Sequence, residues 1–112
     1  MASRFFTEDF WIKVRPTTGI MGIGANECSK WCNAVIDIVP QRRGIRIFEE
    51  QIATKIEDGL LSVHCWLEAK RGTSIFIADG TAGQIDPNCT EGYYGLLDNA
   101  SPKLREVYLN KA

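Results

Sequence analysis

Two apolar runs of strand length stand in the middle of the chain. They are Leu61-Ser-Val-His-Cys-Trp-Leu-Glu-Ala69 and Thr73-Ser-Ile-Phe-Ile-Ala-Asp79, separated by the turn signal Lys70-Arg71-Gly72. The pattern predicts a β-hairpin. If Arg71 and Gly72 form a two-residue loop, His64 faces Asp79 directly on one side of the sheet. Arg at the first loop position disfavours a type I′ turn, and a type I turn with Gly72 left-handed would shift the pairing by one residue and separate the two side chains.

Periodicity places the other elements around this hairpin. Thr7 can cap a short helix whose first turn carries Glu8 and Asp9 and whose extent Pro16 limits. The Gly-rich stretch 17–26 reads as an irregular loop leading into a helix from about Asn26 to just before Pro40. On that helix Cys28, Trp31, Cys32, Val35 and Val39 fall on one face. Residues 44–58 are ambiguous. Ile45, Ile47 and Glu49 suit a strand and Phe48, Ile52 and Ile56 a helix stopped by Gly59, and the reading favoured is a strand followed by irregular structure. After the hairpin come turn residues (Gly80, Gly83, Asp86-Pro87-Asn88) and Gly92-Tyr-Tyr-Gly95. A helix then opens with Ser101 as cap and Pro102 at the first position, turning Leu104, Val107 and Tyr108 inward. No repeat, low-complexity tract or linker interrupts the chain, which reads as one domain over residues 1–112.

Composition narrows the function classes. The chain has 112 residues, 45% of them hydrophobic, including three Trp, enough for an ordinary core without staples. A net charge of −1 with scattered basic residues gives no electrostatic case for nucleic acid. The apolar runs are too short to span a bilayer, and the first residues lack the pattern of a signal peptide, so no membrane partner or targeting address is expected. A domain of this size does not need disulfides, and its four cysteines are expected to be reduced.

Candidate chemistry centres on Cys28. A thiol in the first turn of a helix meets unpaired backbone N–H groups and a partial positive charge, which favour the thiolate and could also receive an oxyanion. Cys32, in mid-helix, reads as a small core residue. His64 is the only histidine, so any step needing an imidazole near neutral pH has one candidate. Asp79 could orient it, although Asp79-Gly80 is also a common strand-ending turn pair. Trp66 shares a face with His64 and could cover the ion pair, and Glu68, farther along, is expected to be solvated or paired with Lys70. Zinc is the rival use of these atoms. Cys28 and Cys32 with His64, Cys65 or Cys89 lack the tight spacing of zinc knuckles, and His64 and Cys65 point to opposite faces of a strand. No Cys-x-x-Cys pair supports a redox role.

Cys28-Ser-Lys-Trp-Cys-Asn33, His64-Cys-Trp-Leu-Glu68 and Ile77-Ala-Asp-Gly-Thr81 together resemble the transglutaminase-like branch of the papain-like cysteine hydrolase superfamily. In that branch the nucleophilic Cys begins a helix with Trp three residues on, a His-x-Trp-x-Glu strand follows, and an Asp ends the next strand. The interval from His to Asp also resembles that of papain-like deamidase and protease effectors and of small papain-fold toxin domains. The likeness spans roughly residues 20–85. It implies an α+β fold, the nucleophile helix packed on an antiparallel β-sheet. Cys28 is then the nucleophile, His64 the general base and acid, and Asp79 the orienter. The family's upstream glutamine, an oxyanion donor, has no counterpart in residues 15–27, so Asn26 or the Cys28 backbone amide takes its place, with Trp66 beside the site. The implied reaction is glutamine deamidation or proteolysis of a protein or peptide substrate, with amide crosslinking as a third outcome, without a cofactor, in the cytoplasm or in a cell into which the domain is delivered as an effector. A catalytically silent binding or immunity-type module is the alternative.

Overall fold

The structure, a computed structural model, describes residues 5–17, 27–38, 41–42, 45–57 and 60–111. Helix α1 spans Glu8–Thr17 and α2 spans Glu27–Val35, followed by a single 3-10 turn at Ile36–Ile38. Strands β1 (Gln41–Arg42) and β2 (Ile45–Arg46) form a small ribbon of their own. Then come β3 (Glu49–Glu57), β4 (Leu60–Arg71), β5 (Ser74–Asp79), β6 (Tyr93–Leu96) and helix α3 (Pro102–Leu109). The four long strands make an antiparallel meander in the order β3-β4-β5-β6. The fold is α+β. Among the described residues no helix is long and apolar enough to cross a membrane.

Both faces of the sheet are covered, and each has its own apolar cluster. Cys65, Leu67 and Ala69 on β4 point toward α1 and α2 and pack with Trp11, Cys28, Trp31, Cys32 and Val35. Trp66 points the other way and packs with Ile77, Leu97, Leu104, Val107 and Tyr108 beneath α3. A strand buried on both faces cannot show a clean polar alternation, which is why residues 64–69 are all buried and read as a nearly continuous run. The first cluster is aromatic at its centre. Trp11 donates its indole N–H to the Phe5 carbonyl at 2.8 Å and lies against Phe48, Trp31 and Tyr94 with ring centroids 5.2, 5.9 and 6.2 Å away. Each such ring, fully buried, stabilises the fold by about 1.5–3 kcal/mol.

Three expectations change here. The hairpin turns at Gly72 and Thr73, one residue later than expected, because Gly72 takes the left-handed backbone (φ 60°) at the first loop position, where Arg would be strained. Arg71 therefore faces Ser74, and His64 lies two residues beyond the level of Asp79 instead of directly opposite it. Because the side-chain period of a strand is two, this slip leaves both residues on the same face. Second, residues 49–57 are not irregular but a nine-residue strand paired with β4 from Glu49↔Glu68 to Glu57↔Leu60. Ile52, which had suggested a helix, is 44% exposed at this edge. Third, Tyr93–Leu96, to which the pattern assigns no element, is a strand. The Gly-rich stretch 18–26, with Asn26, and residues Val39, Pro40 and Gly59 lie outside the described residues.

Candidate active site

Asp79 ends β5 wholly buried, and every lone-pair direction of its carboxylate is used. Oδ1 accepts the Thr81 backbone N–H at 3.1 Å and the Thr81 hydroxyl at 3.4 Å, the geometry of an Asx turn. Oδ2 accepts from His64 Nε2 at 2.6 Å and from the Tyr108 hydroxyl at 2.7 Å. The two readings of this residue are thus both realised: one oxygen closes the turn and the other holds the imidazole. Taking His64 away would leave the buried Asp79 charge without its ionic partner, at about 3–5 kcal/mol.

His64 is held on its other sides as well. The Trp66 indole stacks at 6.0 Å with planes 22° apart, and Trp66 in turn meets Tyr108 at 4.9 Å. Trp66 Nε1 donates to Glu68 Oε2 at 2.8 Å, and Lys111 donates to Glu68 Oε1 at 2.7 Å. Glu68 is accordingly buried and bound to Trp66 and Lys111, not solvated or paired with Lys70. Trp66 has no exposed surface to offer a substrate; it walls the imidazole in. With Nε2 on Asp79, the ring nitrogen left over is Nδ1, which makes no hydrogen bond of ordinary geometry.

Cys28 meets that ring through a gap in the sheet. The thiol sits on α2, on one face, whereas His64 projects toward α3, on the other. The register of β4 with β5 runs only as far as Leu67↔Ala78, so the stretch of β4 before Leu67 has an edge that β5 no longer covers. Cys28 Sγ occupies that edge, donating to the Val63 carbonyl at 3.6 Å and receiving the Cys65 backbone N–H. Gly80, where the chain leaves β5, lies against Trp31: a Cβ there would be 2.2 Å from the indole ring. Trp31, one turn after Cys28, thus docks the helix start against the end of the Asp79 strand.

The electrostatics follow from this enclosure. Burial alone pushes the Cys28 thiol up, but the polar contact and positive charge of the neighbouring His64 imidazole, together with the Cys65 N–H, outweigh it and hold the thiol below its ordinary value. Burial alone pushes His64 down, and Asp79 by charge and hydrogen bond, assisted by Cys28, carries it up to about 10. The arrangement favours a thiolate beside an imidazolium. Cys32 and Cys65 shift the opposite way, since burial and neighbouring negative charge keep both protonated. All four cysteines are free thiols. Among the described residues no group of three or more His, Cys, Asp or Glu side chains is arranged to hold a metal ion.

Of the residues singled out in the sequence, the structure thus brings Cys28, His64 and Asp79 together, sets Trp66 behind them, and leaves Asn26 outside the described residues. Sequence reasoning missed Thr81, Glu68 as the anchor of Trp66, and Tyr108 as a partner of Asp79. Tyr108 was legible only as an inward position on α3, since nothing in a linear pattern tells which buried group a tyrosine hydroxyl will reach. The chain matches no protein-family model, no curated protein and no solved structure.

Proposed function

We propose that the chain is a thiol-dependent amidohydrolase or acyltransferase of the papain-like, transglutaminase-like kind, with Cys28 as nucleophile, His64 as general base and acid, and Asp79 as orienter. The observation that carries the reading is the buried 2.6 Å bond from His64 Nε2 to Asp79, which turns the free ring nitrogen to the only thiol whose proton is loosened. In this reading the Cys28 sulfur attacks an amide carbonyl and forms a thioester as the C–N bond breaks. The imidazolium gives its proton to the departing ammonia or amine. Neutral His64 then takes a proton from water, whose oxygen attacks the thioester, and returns it to the sulfur as the acid leaves. The Cys28 backbone N–H at the start of α2 is the candidate donor to the developing oxyanion.

The substrate proposed is a protein or peptide, the amide being a glutamine side chain or the peptide bond itself. Incubating the protein with cell lysate and comparing it with Cys28→Ala by mass spectrometry reads the chemistry directly. Glutamine-to-glutamate conversion marks deamidation, new termini mark proteolysis, and amine adducts mark crosslinking. One observation favours a second reading, a catalytically silent binding or immunity-type module: Cys28 is only 3% exposed. Iodoacetamide separates the two. A catalytic Cys28 is alkylated well below the usual thiol range, near 8.5, and far faster than Cys32; equal, slow labelling of both, with wild-type and Cys28→Ala lysates alike, rejects the enzyme.

A further inference from the structure

Asp79 Oδ2 carries two donors at nearly the same distance, His64 Nε2 at 2.6 Å and the Tyr108 hydroxyl at 2.7 Å, and the second arrives from the opposite end of the chain. Helix α3 delivers it by ordinary means. Ser101 caps the helix by accepting from the Leu104 N–H, Leu104 and Val107 pack against the sheet, and the Tyr108 ring lies on Trp66. The phenol is wholly buried, and burial together with the Asp79 charge holds its proton far more tightly than in water, so it donates and does not ionise. A donor on a carboxylate oxygen stabilises its charge and lowers its basicity, so each of two donors on one oxygen weakens the other's bond. We propose that Tyr108 is a positioning residue that, by sharing Oδ2 with His64, limits how strongly Asp79 holds the imidazolium and so keeps the His64 proton transferable to a leaving group.

A proton locked on His64 would be a poor acid, because efficient transfer needs a donor not far from the operating pH. Asp79 draws the ring well above that range. Tyr108 opposes this pull without adding charge, as Thr81 does on Oδ1, but Tyr108 does so on the oxygen that holds His64. The other titratable groups around the site come from every element packed on it: Cys28 next to His64 and Cys32 near Asp79 from α2, Cys65 near Asp79 from β4, Glu50 near Cys32 and Cys65 from β3, and Tyr93 from β6 and Cys89 from the loop before it, both near Tyr108. All but His64 itself are neutral or negative, so none of the rest relieves the hold of Asp79. The inference rests on the hydrolase reading for its catalytic meaning, whereas its physical content can be read without turnover.

Because the chain has one histidine, the imidazole signals in a ring-labelled NMR titration belong to His64. In Tyr108→Phe, which keeps the ring against Trp66, Asp79 serves His64 alone and the midpoint is expected to rise, proton binding tightening by about threefold or more. Thr81→Val removes a bond from the same carboxylate through Oδ1 and is expected to move the midpoint less. An unmoved or lowered midpoint in Tyr108→Phe, or equal shifts in both variants, overturns the proposal, because that is what a purely structural hydroxyl gives. If Tyr108→Phe does not fold, 3-fluorotyrosine in place of Tyr108, a stronger donor of nearly the same shape, is expected to lower the midpoint, and no change overturns the proposal. With a substrate in hand, Tyr108→Phe is expected to reduce kcat several-fold with KM unchanged. A raised midpoint without any Cys28 turnover removes the hydrolase reading but leaves the tuning of His64 by Tyr108 standing. Turnover with an unmoved midpoint does the reverse.

Discussion

At the scale of single residues, the contrast between Cys28 and Cys32 is the sharpest feature of the molecule. Both are buried on one helix face four residues apart, yet one thiol borders an imidazole and accepts a backbone N–H, and the other borders only apolar groups and negative charge. Alkylation of Cys28 is expected to rise through its lowered pKa, hold level, and change again only near pH 10, where His64 loses its proton. A single rise near the ordinary thiol value would show that the imidazole does not act on the sulfur. Cys28→Ala is expected to abolish turnover with little change in melting temperature, while Cys32→Asn, which buries an unpaired amide, costs about 1–3 kcal/mol. Thermal melts beside the lysate assay check both. Cys28, His64 and Asp79 could be singled out in the sequence because each has a chemical reason visible in its neighbours: a helix start, a lone imidazole, a strand end. The cation that binds Glu68 and the second donor on Asp79 could not, because they are Lys111 and Tyr108, 43 and 29 residues away.

At the scale of elements, two glycines hold the arrangement for different reasons. Gly72 supplies the left-handed turn that sets the register of β4 on β5, with open space around it. Gly80 supplies absence of bulk beneath Trp31. Gly72→Ala is therefore expected to cost about 1 kcal/mol in backbone strain and leave thiol reactivity unchanged. Gly80→Ala, which must displace a buried indole, is expected to cost about 3 kcal/mol and to slow Cys28 alkylation, because α2 moves with Trp31. Denaturant melts and alkylation rates on the two variants test the distinction, and equal effects on reactivity would refute it. The hairpin and helices were legible from periodicity and caps. The register was missed because Arg71-Gly72 and Gly72-Thr73 are both two-residue loops and only the φ of Gly72 separates them. Strand β3 was missed because the spacing of Phe48, Ile52 and Ile56 imitates a helix, although the β-branched alternation Ile52, Thr54, Ile56 was there to be read.

At the scale of the whole molecule, the coupled pair links stability to pH. His64 is raised above the 6.5 of an ordinary imidazole, so its stabilising contribution is complete below that pH and drains away as the pH climbs toward 10. Cys28 is lowered from the ordinary 9.0, so its contribution is lost as the pH falls through its folded value and is complete above 9.0. The two slopes oppose each other. Above the folded Cys28 pKa and below 9.0 the wild type is expected to change less with pH than Cys28→Ala, which keeps only the His64 limb and loses stability with rising pH by up to about 1.4 kcal/mol per unit. Urea melts across that range decide it, and parallel slopes for the two proteins would count against the pairing.

The short reach of β5 also has a consequence in time. The slot that Cys28 fills is bounded by β4, by the last residues of β5 and by the turn at Gly80, none of which is in place until the meander has closed. Strands adjacent in sequence pair early, because little chain entropy is lost in joining them, whereas α2 must dock onto a surface completed more than fifty residues downstream. The reactive thiol should therefore be the last part of the molecule to mature. In a refolding experiment protection of the β4 and β5 backbone amides from hydrogen exchange is expected to precede fast labelling of Cys28 by a measurable lag, so that the nascent chain carries four ordinary thiols and becomes chemically armed only when folding ends.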